Sequence, residues 1–457
     1  MSNGTLPSYL SMAKPNPPTN RAPWYKNTAP TYAGIFLWFV FWGGAASAGG
    51  TAVAGGILSQ GVGVALLGLV IAALLCHFLF YLVPGMFGLK TGLPLYVVGS
   101  AQYGTQGGFI MPGFLMGLLQ FGWLGVNAYS SSLALAPLFN NNPAAQKIIA
   151  VLWALLAAFV ALKGIQYVAK VATYLPLIPV IILVLLLAKT LGGIGDFDAA
   201  KMVAAAPQGA APALSTFGVI ALCISYVVGF FATAGAAGVD FGTNSRDAKD
   251  VQMGGLVGVA LCIIVVAGAA VLITAGAFGR LGTYGLGTAD PGFMGTVMGS
   301  AGMGKWMGLL LAVAAFPSAC FSSFIAANSF KTTLPKVNPA ISVGIGAAFS
   351  ALLAVTGWAG DLASVFGIIG ASFGPICGAM FVDYLLSGKK WAGPRQGVNM
   401  AGWISWAVGF IVGIAPTIKL AQIPAAPLVA FIVGAVVYFL LAKMQPKVVP
   451  MPGASGK

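Results

Sequence analysis

The chain has 457 residues, of which 59% are hydrophobic and only 7% are charged. Soluble domains carry about 25% charged residues, so this composition excludes a soluble globular protein and indicates one embedded in a lipid bilayer. The formal net charge of +14 comes from basic residues scattered singly between apolar runs. A nucleic-acid-binding surface gathers such residues into a patch or stripe, and we therefore expect no nucleic-acid partner.

The first thirty residues are rich in Pro, Asn and Ser and lack the apolar core of a signal peptide. We expect residues 1–30 to form a mobile cytoplasmic tail. The five cysteines all fall inside apolar segments and none has CxxC spacing, which favours buried thiols over disulfides or a metal site.

Apolar stretches of about twenty residues predict membrane-spanning helices. The stretches here are continuous rather than alternating, which disfavours a transmembrane barrel. We therefore expect an all-α integral membrane protein with about twelve transmembrane helices. The predicted spans are 32–56, 61–85, 108–138, 146–164, 168–190, 212–238, 251–279, 305–330, 338–357, 362–385, 401–418 and 425–444.

The Lys and Arg residues predict how the chain is oriented, because cytoplasmic loops carry an excess of them. If the N-terminus is cytoplasmic, 16 of the 22 basic residues lie on the cytoplasmic side and 6 on the opposite side. We expect both termini in the cytoplasm and the protein to be a multi-pass component of the cell (inner or plasma) membrane.

Two runs of small residues, GGAASAGG at 43–50 and TAGAAG at 233–238, lie five predicted spans apart. Related segments that run in opposite directions are typical of inverted-repeat transporters, in which the first helix of each repeat is broken and exposes backbone groups to an ion or substrate. The alternative is a close-packing helix face, for which membrane helices often use Gly and Ala. Sequence alone leaves both interpretations open.

Four motifs carry more specific information than composition does. They are KTGL at 90–93, LLQFGWLGV at 118–126, ACFSSFIAANSF at 319–330 and PICGAMFVDYLL at 375–386. In order and spacing, from about residue 30 to 445, the chain resembles the nucleobase:cation symporter-1 family, which includes cytosine, purine and hydantoin permeases.

The resemblance implies a leucine-transporter-type fold with two inverted five-helix repeats and two peripheral helices. The repeats would cover 31–190 and 191–395, followed by a peripheral and C-terminal part at 396–457. It also implies a symporter that imports a nucleobase or related planar heterocycle with Na⁺ or H⁺ by alternating access, without another cofactor. We expect a monomer or weak oligomer.

A flat heterocycle needs aromatic faces for stacking and amides or hydroxyls for its polar edge. The resemblance assigns stacking to Trp123 and Phe231, with Phe230 as the substitute if the register differs by one residue. It assigns polar contacts to Gln120, which shares a helix face with Trp123 at i, i+3, and to Thr233 and Asn328. Each residue also has a plain structural interpretation, as a packing aromatic or an interhelical hydrogen bond.

A sodium ion prefers hard oxygen ligands, including carbonyls released by a broken helix. By the resemblance, we expect two carbonyls from the first span, at Gly43 and Ala46. The eighth span would add the carbonyl of Ala319 and the hydroxyls of Ser322 and Ser323. Adjacent serines in a helix also often bond to their own backbone.

Proton coupling would need a titratable group inside the membrane, and His77 is the only histidine. A packed, neutral histidine is the more ordinary interpretation. Asp240 and Asp383 lie at predicted helix ends, where they would pair with Arg246 or Lys389.

Three other functions fit the composition less well. An amino-acid or amine carrier of the same fold would need a partner for charged substrate groups. An integral-membrane enzyme predicts clustered Asp, His or Cys within the bilayer, and a channel predicts a filter motif. The sequence shows neither of these patterns.

Overall fold

The computed structural model describes residues 6–163 and 165–451. Within them, twelve helical passes build the molecule and only isolated β-bridges occur. Seven are long apolar helices, four are shorter apolar helices, and the first is interrupted. In chain order they are α1 (Thr28–Leu37 and Phe39–Gly43), α2 (Val62–Thr91), α3 (Phe109–Phe139), α4 (Pro143–Lys163), α5 (Leu177–Thr190), α6 (Thr216–Ala236), α7 (Ala248–Leu281), α8 (Ala301–Thr333), α9 (Pro339–Val355), α10 (Leu362–Leu386), α11 (Met400–Ile414) and α12 (Ala426–Leu440).

Short helices occupy the connections between these passes. They are Ser8–Ser11, Pro18–Asn20, Trp24–Lys26, Gly56–Gln60, Leu95–Val98, Ser100–Tyr103, Ile165–Ala172, Leu191–Gly193, Ala199–Ala204, Gly238–Gly242, Pro291–Met298, Trp358–Gly360 and Ala442–Met444. The predicted number of spans and the all-α membrane architecture are confirmed.

The packing divides eight of the helices into two groups. In the first, which we call the core group, α2 packs against α6 and α7, and α1 packs against α7. In the second, the frame group, α3, α4, α8 and α9 pack against one another. α10, α11 and α12 pack together, and α10 also lies along α6.

The first pass is much shorter than the predicted span 32–56. α1 ends at Gly43, and the chain then turns through residues 44–55 before the short helix Gly56–Gln60. Paired glycines support the turn, because Gly49 and Gly50 have φ of +82° and +90°, a backbone conformation that glycine adopts without steric cost. The glycine-rich segment is therefore mostly a turn and not a weakened helix.

The N-terminal segment packs on the helices instead of extending away from them. Residues 6–27, which we call the N-terminal strap, run across the end of α2 and the α6–α7 connection. Leu10 is fully buried in the main core. For the described part of the predicted tail, the structure therefore shows a docked segment.

Both ends of the described chain lie on one face of the molecule. In the strap, Tyr9 contacts Thr105, whose backbone amide donates to the Arg395 carbonyl at 2.7 Å. The next residue, Gln396, donates to the Lys447 carbonyl at 2.9 Å. This arrangement agrees with the even number of passes.

Candidate functional site

α1 is interrupted at Trp38, where ψ is 123° and the backbone is extended. The Trp38 amide donates a hydrogen bond to the Ile35 carbonyl. In a continuous α-helix this amide would bond to the Gly34 carbonyl, which therefore lacks its helical donor. The Leu37 carbonyl accepts a hydrogen bond from the Trp42 indole at 3.1 Å. The interruption therefore releases backbone oxygen atoms, five residues before the glycine-rich segment begins.

An aromatic cluster fills the space beside this interruption, between the core and frame groups. The Trp123 ring, on α3, lies 5.7 Å from the Trp38 ring and 5.2 Å from the Phe230 ring of α6, edge to face in both pairs. Phe366 of α10 is 5.7 Å from Trp123. Trp123, Phe230 and Phe366 are buried and Trp38 is half-buried. Helices from both groups thus converge on one tryptophan.

One polar side chain contacts this cluster, and a second lies one turn from Trp123 on α3. The indole nitrogen of Trp123 donates to the Thr233 hydroxyl at 3.3 Å, across the α3–α6 interface. Gln120 lies one turn before Trp123 and is also buried. Among the described residues, the recorded partner of its amide is the Met116 sulfur at 3.5 Å, a weak acceptor. Gln120 therefore retains most of its hydrogen-bonding capacity.

Two predicted substrate residues do not join the cluster. Phe231 is fully buried, but its ring stacks on Phe36 at 5.6 Å and lies 5.6 Å from Tyr32. It therefore packs α6 against α1, and Phe230 is the neighbour that contacts Trp123. Asn328 is exposed on α8. The rotation of α8 about its axis decides which of its side chains are exposed, and the sequence motif does not show that rotation.

A small cavity lies at the interruption of α1, between α1, α5 and α8. Its water-accessible volume is about 20 Å³, enough for one water molecule or one small ion. Its lining residues are Gly34, Leu37, Trp38, Phe39, Pro176, Pro179, Leu311, Ala314, Ala315 and Ser318.

The predicted ligands on the first span lie outside this cavity. The Gly43 carbonyl accepts a hydrogen bond from the Thr288 amide at 2.9 Å, and the Ala46 carbonyl accepts one from the Ile57 amide at 3.0 Å. Both carbonyl oxygens therefore already accept a hydrogen bond. The helix interruption, which releases carbonyls, is at Trp38 and not in the glycine-rich segment.

The predicted ligands on α8 face in several directions. Ala319 packs in a buried cluster with residues of α3, α4 and α9. Ser323 is fully buried, and its hydroxyl has no hydrogen-bond partner within the described chain. Ser322 is half-buried, four residues beyond Ser318 and on the same helix face. The structure brings none of the three into the lining of the cavity, where Ser318 is the hydroxyl-bearing residue.

Sequence reasoning missed Ser318 and also Asn127. Ser318 follows Pro317, which removes one backbone donor from α8 and interrupts its hydrogen-bond ladder; that proline was an available signal. Asn127, one turn after Trp123, donates to the Ala315 carbonyl at 3.0 Å and accepts from the Trp153 indole at 3.0 Å. Its position at i+4 from Trp123 was equally visible in the sequence.

The ionisable residues singled out in the sequence lie in three different environments. His77 is buried in a π-helical turn of α2, and its Nδ1 has no partner in the described structure. Asp240 accepts a hydrogen bond from the Leu95 amide at 3.0 Å. Asp383 pairs with Arg395 at 2.7 Å. The predicted pairing of these aspartates with Arg246 or Lys389 is therefore wrong.

Asp250, at the start of α7, is the partner of Arg246, at 2.7 Å. No group of three or more His, Cys, Asp or Glu residues that could hold a metal occurs in the described part of the chain.

Models of protein families and curated protein sequences show no match to this chain. Several solved structures do match this chain. Mhp1, a nucleobase-cation-symport-1 family transporter in a closed conformation with bromovinylhydantoin bound, superposes with a TM-score of 0.67 at 16% identity, covering 97% of this chain and 98% of that one. The inward-facing conformation of Mhp1 gives 0.68 at 16% identity, with 97% of each chain covered.

A Na⁺-coupled sialic acid symporter in a substrate-bound outward-open state matches with a TM-score of 0.58 and 12% identity, over 98% of this chain and 95% of that one. These neighbours are cation-coupled symporters and not enzymes. The family resemblance in the sequence is thereby confirmed at the level of the fold. The chain is a multi-pass membrane protein with the leucine-transporter-type fold that it shares with Mhp1.

Proposed function

We propose that the protein is a secondary active transporter that imports a nucleobase or related planar heterocycle together with a cation. The observation that carries this proposal is the position of Trp123. Its indole lies where the core group, the frame group and the interruption of α1 meet. Midplane sites between two such moving parts are characteristic of alternating-access transporters.

The chemistry around Trp123 suits a flat, polar-edged solute. Trp123, Phe230 and Trp38 offer aromatic surface for stacking, and the weakly paired amide of Gln120 offers both a donor and an acceptor. We infer that Thr233 orients the Trp123 indole and does not itself contact the solute. The bromovinylhydantoin bound to Mhp1 supports a ring-shaped substrate.

We infer that the coupling cation binds in the cavity at the interruption of α1. The Gly34 carbonyl and the Ser318 hydroxyl are the oxygen ligands in its lining that an ion would use. A set of neutral oxygens favours Na⁺ over a proton, and one structural neighbour is described as Na⁺-coupled. We propose this set in place of Gly43, Ala46, Ala319, Ser322 and Ser323.

An ion at this position would join α1 of the core group to α8 of the frame group. Holding α1 would also fix Trp38, which belongs to both the cavity lining and the aromatic cluster. Ion binding and solute binding would then strengthen one another by the same factor, as linkage requires. We propose that both termini are cytoplasmic, that the membrane is the cell membrane, and that the protein works as a monomer or weak oligomer.

The test is a thermal-shift panel of heterocycles on the purified protein, each measured with Na⁺ and with choline in its place. A ligand that binds the folded protein raises Tm, and the stabilisation grows with the logarithm of one plus its concentration divided by Kd. We expect a pyrimidine, purine or hydantoin to raise Tm, and more so with Na⁺. If none of the three does so at any Na⁺ concentration, the proposal fails.

One observation favours a second candidate, an amino-acid carrier. The helical segment Phe39–Gly43 begins at the interruption, and backbone amides at a helix start attract a carboxylate. MhsT in complex with L-phenylalanine matches with a TM-score of 0.50 at 14% identity, over 93% of this chain and 99% of that one. Aromatic amino acids therefore belong in the panel, and a response to them alone would favour this candidate.

A further inference from the structure

The N-terminal strap has two halves that bind different parts of the molecule. Its second half is bound to the core group and its connections. The Asn16 side chain donates to the Thr243 carbonyl at 3.0 Å, and the Ala22 amide donates to the Asn244 carbonyl at 2.8 Å. The Trp24 amide donates to Asp250 of α7 at 3.1 Å. This half therefore moves with α7 and the α6–α7 connection.

The first half of the strap reaches the frame group. The Tyr9 hydroxyl donates to the Thr105 carbonyl at 2.9 Å, just before α3 begins. Its ring lies 5.6 Å from that of Phe109, the first residue of α3, in an edge-to-face contact. Leu10 beside it is fully buried. A short helix, Ser8–Ser11, holds both side chains on the strap.

We propose that the N-terminal strap is a latch that holds this face of the transporter closed. The inference rests on the proposed alternating-access function, because only a protein whose two helix groups separate needs such a device. The strap crosses from one group to the other outside the helices themselves. Separation of the groups at this face requires the Tyr9 side chain to leave Phe109 while the anchors from Asn16 to Trp24 remain.

The size of the contact suits a reversible latch. One edge-to-face ring contact joins the strap to the frame group, and one neutral hydrogen bond joins it to the α2–α3 connection just before α3. Several backbone and side-chain hydrogen bonds and the side chain of Arg21 join it to the core side, including the Asn16 amide to the Gly92 carbonyl at 2.8 Å. The strap would therefore detach at its Tyr9 end first.

The test measures the distance between the two groups in the full-length protein. Spin labels at Lys249→Cys, at the start of α7, and Lys336→Cys, after α8, occupy exposed positions. The chain without these substitutions serves as the control for labelling of native cysteines. We expect Tyr9→Ala to raise the ratio of the longer to the shorter distance roughly fivefold or more.

Tyr25 supplies the matched control, because it is an exposed tyrosine on the same strap. Tyr25→Ala is expected to leave the distances unchanged. Tyr9→Phe keeps the ring and loses the hydrogen bond, so a smaller shift in the same direction is expected, and this variant carries the test if Tyr9→Ala does not fold.

A lower Tm for the folded Tyr9 variants with the parent's distance distribution would show a purely structural strap and overturn the proposal. The distances are measured without solute, so this result is independent of the heterocycle panel. If the Tyr9 variants lengthen the distance but no heterocycle raises Tm, the proposed substrate is wrong and the proposed latch still holds.

Discussion

Trp123 lies in the middle of a 31-residue helix and makes its contacts with three other helices. Membrane proteins usually place tryptophan at the lipid headgroups. Trp123 is instead buried and its indole donates to Thr233, a position that the proposed solute stacking would explain.

We expect Trp123→Ala to weaken heterocycle binding roughly 5- to 150-fold, because stacking on an aromatic side chain contributes about 1–3 kcal/mol. The measurement is the Kd by titration calorimetry at saturating Na⁺. Trp306→Ala is the control, because Trp306 is an exposed tryptophan on α8. Equal Kd values for the two variants would remove Trp123 from the site.

Thr233→Val is expected to weaken heterocycle binding roughly 2- to 10-fold, since the variant loses one hydrogen bond of about 0.5–1.5 kcal/mol to the indole. Thr233→Ser keeps the hydroxyl and should bind like the parent. If Thr233→Val binds normally, the indole does not need this partner.

Sequence spacing gives the relative position of two residues where both lie on one helix. Gln120 and Trp123 share a face because they are three residues apart on α3. Both are buried, and Trp123 contacts Trp38 at the α1 interruption. The choice between Phe230 and Phe231 depends on the rotation of α6 against α1 and α3. Two adjacent phenylalanines look alike in the sequence, so only the packed helices separate them.

At the scale of single elements, α1 and α8 decide where a cation would bind. The sequence drew attention to the glycine-rich segment, but glycine there serves the turn after α1. The interruption at Trp38 has no Gly or Pro beside it, since the residues around it read FLWFVF. It arises in the packed structure and not from a local breaker.

We expect Ser318→Ala to raise the apparent Kd for Na⁺ about tenfold or more, because a hydrogen-bonding or ligating contact to a charged group contributes about 1.5 kcal/mol or more. The measurement is the Na⁺ dependence of the heterocycle-induced Tm shift.

Ser322→Ala, one turn further on the same face of α8, is the matched control and should keep the parent's Na⁺ dependence. A large effect of Ser322→Ala or Ser323→Ala, with none for Ser318→Ala, would return the cation site to the residues that the sequence motif suggested.

At the scale of the whole molecule, a buried ion pair joins the end of α10 to the α10–α11 connection. Asp383 accepts hydrogen bonds from Arg395 at 2.7 Å, from Gln102 at 2.8 Å and from Tyr438 at 3.0 Å. Arg395 is 6% exposed and Asp383 is fully buried. This network holds α10, α12 and the α2–α3 connection together.

Asp383→Asn is expected to destabilise the protein by about 3–5 kcal/mol, because it leaves the Arg395 charge buried without its counter-ion. The measurement is the thermal unfolding of the purified protein. Asp198→Asn is the control: its partner Lys201 is 4.0 Å away on the surface, and such a pair contributes about 1 kcal/mol or less. Similar losses in both variants would contradict the role of the network.

The sequence by itself determined the membrane setting, the number of passes and the helix face that carries Gln120 and Trp123. Each of these follows from composition or from the repeat of a single helix, which are local properties. The tertiary structure decided the end of α1 at Gly43, its interruption at Trp38, the place of Ser318 and the docking of the N-terminal strap. Each of these depends on contacts between segments far apart in the chain, whose energies no single segment contains.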